Sequence, residues 1–257
     1  MRFLQEIIAV AQRILIELLR RRRSLIFWSI FPVSLLLING FILAERAQMT
    51  TAKAFENAAP TSLVGAALFF SCLGGSVATV VGEREQHTIK RLFISPLSGL
   101  SYFLGIFVAH SFIAIGQGIL VYTIASFYGA EFHGSILLGC VIIFLSILSY
   151  VGVGFILGTQ LARRTEDVNS LVATFGVPLL ILGGAFIPAT FFPKNLLELA
   201  KYNPIYHINE ALLGVWTNGK TLEEIQVHFN FLCVFAVLMV ITGWLSYRRM
   251  INREKRL

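Results

Sequence analysis

Apolar residues run along this chain in six stretches, each about the length a helix needs to cross a bilayer, and the charges collect between them. The first, Leu25–Ala44, holds twenty residues without a charge, with Trp28 near its edge and Pro32 inside. The second runs from about Ser62 to Val81. Its small residues Ala66, Ser71, Gly74, Gly75, Ser76 and Ala78 suit close helix contact. The others are roughly Tyr102–Phe127, Ile136–Leu161 (ending in Gly152, Gly154 and Gly158), Leu171–Pro188 and Phe229–Tyr247. Ahead of them, Phe3, Leu4, Ile7, Ile8, Ala11, Ile14, Leu15 and Leu18 recur at three and four, with Glu6, Arg13, Glu17 and Arg20 on another side. That periodicity predicts an amphipathic helix within residues 1–24, lying in the membrane interface. A soluble core helix is excluded because no soluble domain follows. The predicted fold is an all-α membrane protein with six spans.

Two segments depart from the span-and-loop pattern. Gly82–Ser98 (GEREQHTIKRLFISPLS) is polar and long enough for a short helix, with Glu83, Arg84, Glu85, Lys90 and Arg91 bracketing Ile89, Leu92 and Phe93. A charged helix with an apolar side, held between two spans, suits docking of another protein; an ordinary solvated loop is the plainer reading. Phe186–Trp216 is moderately apolar but divided by Pro188, Pro193 and Pro204. It predicts a pair of short helices dipping into the outer leaflet, sheltered by the rest of the chain.

Composition agrees with the pattern. Hydrophobic residues make up 56% and charged residues 14%, with a mean hydropathy of +0.75, against about 25% charged in soluble domains. The net charge of +7 does not mark a nucleic-acid binder, since the basic residues sit at the ends of apolar stretches. Sixteen of the 21 Lys and Arg residues fall on the side that holds both termini, among them the run Arg20–Arg23 and the basic tail 248–257. The positive-inside rule places that side in the cytoplasm. The first long apolar run begins only at Leu25 and is too long for the core of a cleavable signal peptide, and the arginine run reads as a cytoplasmic anchor. Cys72, Cys140 and Cys233 lie in apolar runs without metal-ligand spacing and read as small buried hydrophobes.

Catalytic signatures are missing from the sequence. It holds no G-x-x-x-x-G-K-[ST] loop, H-E-x-x-H, C-x-x-C or G-x-S-x-G. None of the 14 acidic residues sits mid-span, Glu210 coming nearest, so a proton-driven carrier lacks its usual intramembrane carboxylate. His110 and Gln117, seven apart on one helical face, are the notable intramembrane polar residues, and interhelical hydrogen bonding is their plainer role.

The amphipathic start, the six spans, the segment GEREQHTIKRLFISPLS and YNPIYHINEALLG before the last span together resemble the type-2 exporter permeases of ABC transporters. That group includes daunorubicin-type drug exporters and polysaccharide exporters. The most specific matches are Glu83-Arg84-Glu85 with Thr88 and Arg91-Leu92, then Ser95-Pro96-Leu97-Ser98, and Asn203-Pro204. His87 departs from the pattern, standing where a glycine often follows the acidic cluster.

The resemblance implies that Gly82–Phe93 is a coupling helix seated in a separate ATPase subunit, with Glu83, Arg84, Glu85, His87, Thr88, Arg91 and Leu92 as docking residues. It implies that residues 1–24 form a connecting helix and that 188–216, with Pro188, Asn203, Pro204 and Glu210, form external helices capping the pathway. Two permease chains, a homodimer, would pair above two ATPase subunits that bind ATP and Mg²⁺; the chain itself would carry no cofactor and no active site. Spans one, two and five would line the path, with Asn39, Phe69, Phe70 and Phe175 as candidate residues, joined by His110 of span three. The implied cargo is an amphiphilic drug or lipid, or alternatively a lipid-linked polysaccharide. From other classes stand a secondary transporter or channel, and a lipid-modifying membrane enzyme using His110, His207 and Glu210.

Overall fold

The computed structural model describes residues 2–20, 22–86, 88 and 97–254, and every regular element among them is helical. Helix α1 (Arg2–Arg20) precedes the first span, α2 (Arg22–Arg46). Four further spans follow: α3 (Thr51–Glu85), α4 (Gly99–Phe127), α5 (Ile136–Leu161) and α6 (Thr165–Leu182). Three short helical pieces, Ala189–Phe191, α7 (Lys194–Ala200) and α8 (Pro204–Asn218), lead to the last span, α9 (Gln226–Glu254).

Several expected boundaries move. The second span begins at Thr51, where the Thr50 hydroxyl caps the helix by accepting from the Lys53 amide. Its polar first turns run straight into the apolar part, which passes through a π-helical stretch at Ser62–Gly74. The same helix continues through Gly82 to Glu85, so the start of the expected coupling helix is the end of a span. The fifth span begins at Thr165 and ends at Leu182. Gly183 closes it, and Gly184, at φ +77°, turns the chain away before Pro188. Arg22–Ser24 belong to the first span, and residues 248–254 of the basic tail continue the last one. The expected pair of external helices is three pieces, the first a single 3₁₀ turn.

α3 is the central element, with 78% of its apolar stretch buried inside the chain, against 22% for α2 and α6. Glycines set the distances around it. A Cβ on Gly154 of α5 would lie 1.9 Å from Ser76 Oγ of α3, and one on Gly152 would lie 2.7 Å from the Met239 carbonyl of α9. The backbones of the fourth span therefore touch those of the second and sixth directly.

α1 buries Ile7, Val10, Ala11 and Ile14, with Val10 against Gly105 at the start of α4. Leu15 and Leu18 are half-buried against the same core, while Phe3, Leu4, Ile8, Ile16 and Leu19 stay exposed, which suits a helix with one face on the bundle and one in the membrane interface. The end of α9 lies at the same end of the bundle, where Tyr247 stacks on Tyr102 at 5.4 Å. Of the cysteines only Cys72 is buried; Cys140 is exposed on α5 and Cys233 half-buried, as lipid takes the place of a protein core around them.

Candidate functional site: a helix-end clamp and a face with two cavities

Three consecutive residues at the end of α3 reach three different parts of the bundle, because successive helical side chains point about 100° apart. The Glu83 carboxylate, 5% exposed, accepts from the Arg13 guanidinium of α1 and from the Tyr102 hydroxyl of α4. The Arg84 guanidinium donates to the carbonyls of Gly158 and Ala162 at 3.0 and 3.1 Å, satisfying backbone acceptors at the end of α5. Glu85 accepts from the Thr165 amide at 3.1 Å and from its hydroxyl, holding the start of α6. Asp167 accepts from the Arg163 and Arg164 amides at 2.9 Å and closes that turn. A second tie fastens α1 to α4: Glu6 accepts from the Ser101 hydroxyl at 2.7 Å and the Ser98 amide at 3.2 Å, which hold its carboxyl below the usual carboxylate range.

The opposite end has its own tie. Glu56 of α3, 5% exposed, pairs with Lys53 at 2.9 Å and with His133 at 3.0 Å. Lys53 also donates to the Thr217 carbonyl, and the Thr217 hydroxyl to that of Glu56, so α8 is fastened to the start of α3.

Between these ends, spans one, two and five form a face with two cavities. The cavity nearer Glu83, termed the inner cleft, is about 410 Å³ and is lined by Arg23, Phe27, Trp28, Phe70, Asn169 and Val172 among others. The cavity nearer Glu56, termed the outer cavity, is about 470 Å³ and lies between α2, α3, the turn after α6 and α8; its polar lining includes Asn39, Arg46, Asn57, Thr61, Asn209 and Glu210. Four phenylalanines stand between the two. Phe27 stacks on Phe31 at 5.4 Å, Phe31 meets Phe70 edge-on at 5.2 Å, and Phe31 meets Phe186 at 6.5 Å. Phe27 and Phe70 line the inner cleft and Phe186 the outer cavity, so these rings lie between the two.

The family model for ABC-2 type transporters matches residues 5–216. The chain belongs to the ABC-2 type transporter family. It is 28% identical over 170 residues to a probable multidrug ABC transporter permease, YbhR, of Escherichia coli K12, covering 66% of this chain and 45% of the relative. It is 23% identical over 266 residues to the putative transport permease ycf38 of Cyanophora paradoxa, covering 97% of this chain and 90% of that protein. The chain thus spans about half the length of the first relative and nearly all of the second.

Within this ABC-2 permease, the residues singled out from the sequence separate into groups. Asn39, Pro188 and Glu210 line the outer cavity, and Phe70 lines the inner cleft. Phe69 is buried against Gly176 and Tyr150, while Phe175 is 61% exposed on α6; neither lines a cavity. His110 is fully buried, its ring packed on Gly75 beside Trp28, and likewise lies outside both linings. Gln117 bridges three spans, donating to the Trp28 carbonyl at 2.7 Å and accepting from the Ser71 hydroxyl at 2.6 Å. Asn203 caps α8 by accepting from the Ile205 amide at 3.0 Å, with Pro204 in the first helical turn, and donates to the Leu179 carbonyl at 2.7 Å.

Of the expected docking residues, Glu83 and Arg84 are turned into the bundle and Glu85 toward the α5–α6 turn. Thr88 is half-buried, while His87, Arg91 and Leu92 lie outside the described residues. Sequence reasoning missed Phe31, Phe186, Arg46 and Asn209 in the face, and Arg13 and Tyr102 in the clamp. Asn209 carried a signal, an amide beside Glu210 in an apolar helix; the others looked like ordinary span or interface residues.

Proposed function

We propose that this chain is the membrane-spanning subunit of an ATP-driven exporter, powered by a separate ATPase that holds ATP and Mg²⁺. A second copy of the permease completes the pathway, and its cargo is a small amphiphile. The observation that carries this reading is the face of spans one, two and five: an inner cleft and an outer cavity separated by the rings of Phe27, Phe31, Phe70 and Phe186. Two compartments with an apolar closure between them are what alternating exposure of an amphiphile requires. A polymer needs an open continuous channel, which four packed rings do not leave.

The end of the bundle that holds α1, Glu83–Glu85 and the close of α9 faces the cytoplasm in this reading, in keeping with its excess of Lys and Arg. Force delivered by the ATPase near the end of α3 would pass through Glu83, Arg84 and Glu85 into α1, α4, α5 and α6 together. The low self-burial of α2 and α6 suits a face that meets a second copy.

The test is efflux of a fluorescent amphiphile from cells or proteoliposomes containing the permease with its ATPase. Phe31→Ala opens the aromatic closure and is expected to uncouple the system, so that the dye leaks down its gradient and ATP-driven accumulation collapses. Unchanged ATP-driven transport in Phe31→Ala, or a chain that purifies without any ATPase and transports regardless of ATP, refutes the reading.

A further inference from the structure

The outer cavity is lined by a carboxylate that the chain itself leaves without a donor, Glu210, beside the buried Asn209. Asn209 is 3% exposed, and its amide nitrogen donates to the Gly183 carbonyl at 2.7 Å. A carbonyl can only accept, so this contact fixes the amide orientation and leaves Asn209 Oδ1 as the unsatisfied atom. One residue on, Glu210 is half-buried, and its carboxylate makes no hydrogen bond or ion pair among the described residues. Burial pushes its carboxyl above the usual range, only partly offset by the field of Lys220. A buried acceptor without a donor costs about 1–3 kcal/mol, and an unpaired carboxylate more. Such groups persist where something else supplies the donors.

The remaining lining shows what that something is. Asn39, Asn57 and Thr61 add polar groups, while Ile42, Leu43, Met49, Phe186, Ile187 and Leu213 make most of the wall apolar. Asn57 commits one N–H of its amide to the Lys53 carbonyl at 2.7 Å, and the Thr61 hydroxyl donates to the Ala58 carbonyl at 3.0 Å. Arg46 is the one cation in the lining, and it is exposed.

We infer that the outer cavity is a recognition site for the head of an amine-bearing amphiphile, with the ammonium donating to the Glu210 carboxylate and the apolar tail lying along Phe186 and Leu213. This rests on the exporter reading for its place in transport but not for its chemistry. It names Glu210 as the specificity residue: an amine satisfies its carboxylate, whereas a carboxylate headgroup leaves it unpaired and adds like charge.

The experiment uses the full-length permease in nanodiscs without nucleotide, and two probes of matched length, 11-(dansylamino)undecylamine and 11-(dansylamino)undecanoic acid. The amine is expected to bind saturably, be displaced by dodecylamine, and bind at least about tenfold more tightly than the acid, as expected when a charge-assisted hydrogen bond is lost. Glu210→Gln is expected to erase the preference, Glu210→Asp to retain most of it, and Arg46→Gln to leave it in place. Thermal unfolding of each variant shows that it is folded, and Glu210→Asp carries the test should Glu210→Gln be unstable. Equal binding of the two probes, tighter binding of the acid, or a preference that survives Glu210→Gln overturns the inference. The exporter reading fails separately: amine binding intact but no ATP-driven efflux from proteoliposomes removes the transport reading and leaves the site. Efflux with no amine preference does the reverse.

Discussion

Removing Arg13 is expected to harm the fold more than removing Glu83, although the two form one ion pair. The Glu83 side chain is 6% exposed and the Arg13 side chain 38%. Arg13→Gln leaves a buried carboxylate supported only by the Tyr102 hydroxyl, and an orphaned buried charge costs about 3–5 kcal/mol. Because the lost guanidinium was itself partly solvated, the lower end, about 3 kcal/mol, is the expected loss. Glu83→Gln leaves an amide that still meets Tyr102, and a guanidinium that can turn to water. Its expected cost is about 1 kcal/mol, that of one net hydrogen bond. Tyr102→Phe removes a hydrogen bond to a charged acceptor, about 1.5 kcal/mol or more. The assay is thermal unfolding of the purified chain in one detergent at one heating rate. At roughly 2–4 °C per kcal/mol for a chain of this size, Arg13→Gln falls about 6–12 °C and Glu83→Gln about 2–4 °C. The double variant restores part of the Arg13→Gln loss, since no orphaned charge remains. Were Glu83 turned outward to meet an ATPase, both single variants would unfold with the parent and only coupling would suffer; that result would falsify the inward clamp.

Gly152→Ala places a methyl 2.7 Å from the Met239 backbone, which cannot swing aside as a side chain could, so spans four and six must separate. The expected loss is about 1–3 kcal/mol, read as a lower unfolding temperature, while alanine at Gly116, whose Cβ would meet nothing within 4 Å, leaves stability near the parent. His207 donates from Nε2 to the Lys201 carbonyl at 2.8 Å, so its Nδ1 must accept the His228 proton at 2.9 Å, and burial holds its pKa below the ordinary 6.5. The unfolded chain takes up the proton that the folded chain resists, so stability is expected to fall as pH drops below about 6.5. His207→Phe, which keeps a ring on Phe231, should flatten that part of the unfolding-temperature profile between pH 6.5 and 5, and an unchanged slope counts against the pair.

Much of the architecture was legible because a span is a local property. Twenty apolar residues have one solution in a bilayer, whatever the rest of the chain does, so the six spans and the amphipathic α1 followed from periodicity alone. Asn203-Pro204 was likewise local, a cap followed by a residue pre-set for the first turn. The early start of α3 was not, because Glu56 is buried there only by partners including His133, 77 positions away. The clamp had the same difficulty: Glu83 looks like a surface residue until Arg13, 70 positions earlier, is brought against it.

The face with two cavities depended on tertiary structure for a different reason. In water, hydrophobicity separates core from surface, but in a bilayer the core and the lipid-facing surface are equally apolar. Phe69 and Phe175 are alike in sequence, yet one is 1% exposed and the other 61%. Phe31 and Phe186, rings that lie between the two cavities, carry no mark that distinguishes them from either. Apolar length determined that this chain crosses the membrane six times; only helix packing decided which apolar side chains face each other, which face lipid, and which line the cavities.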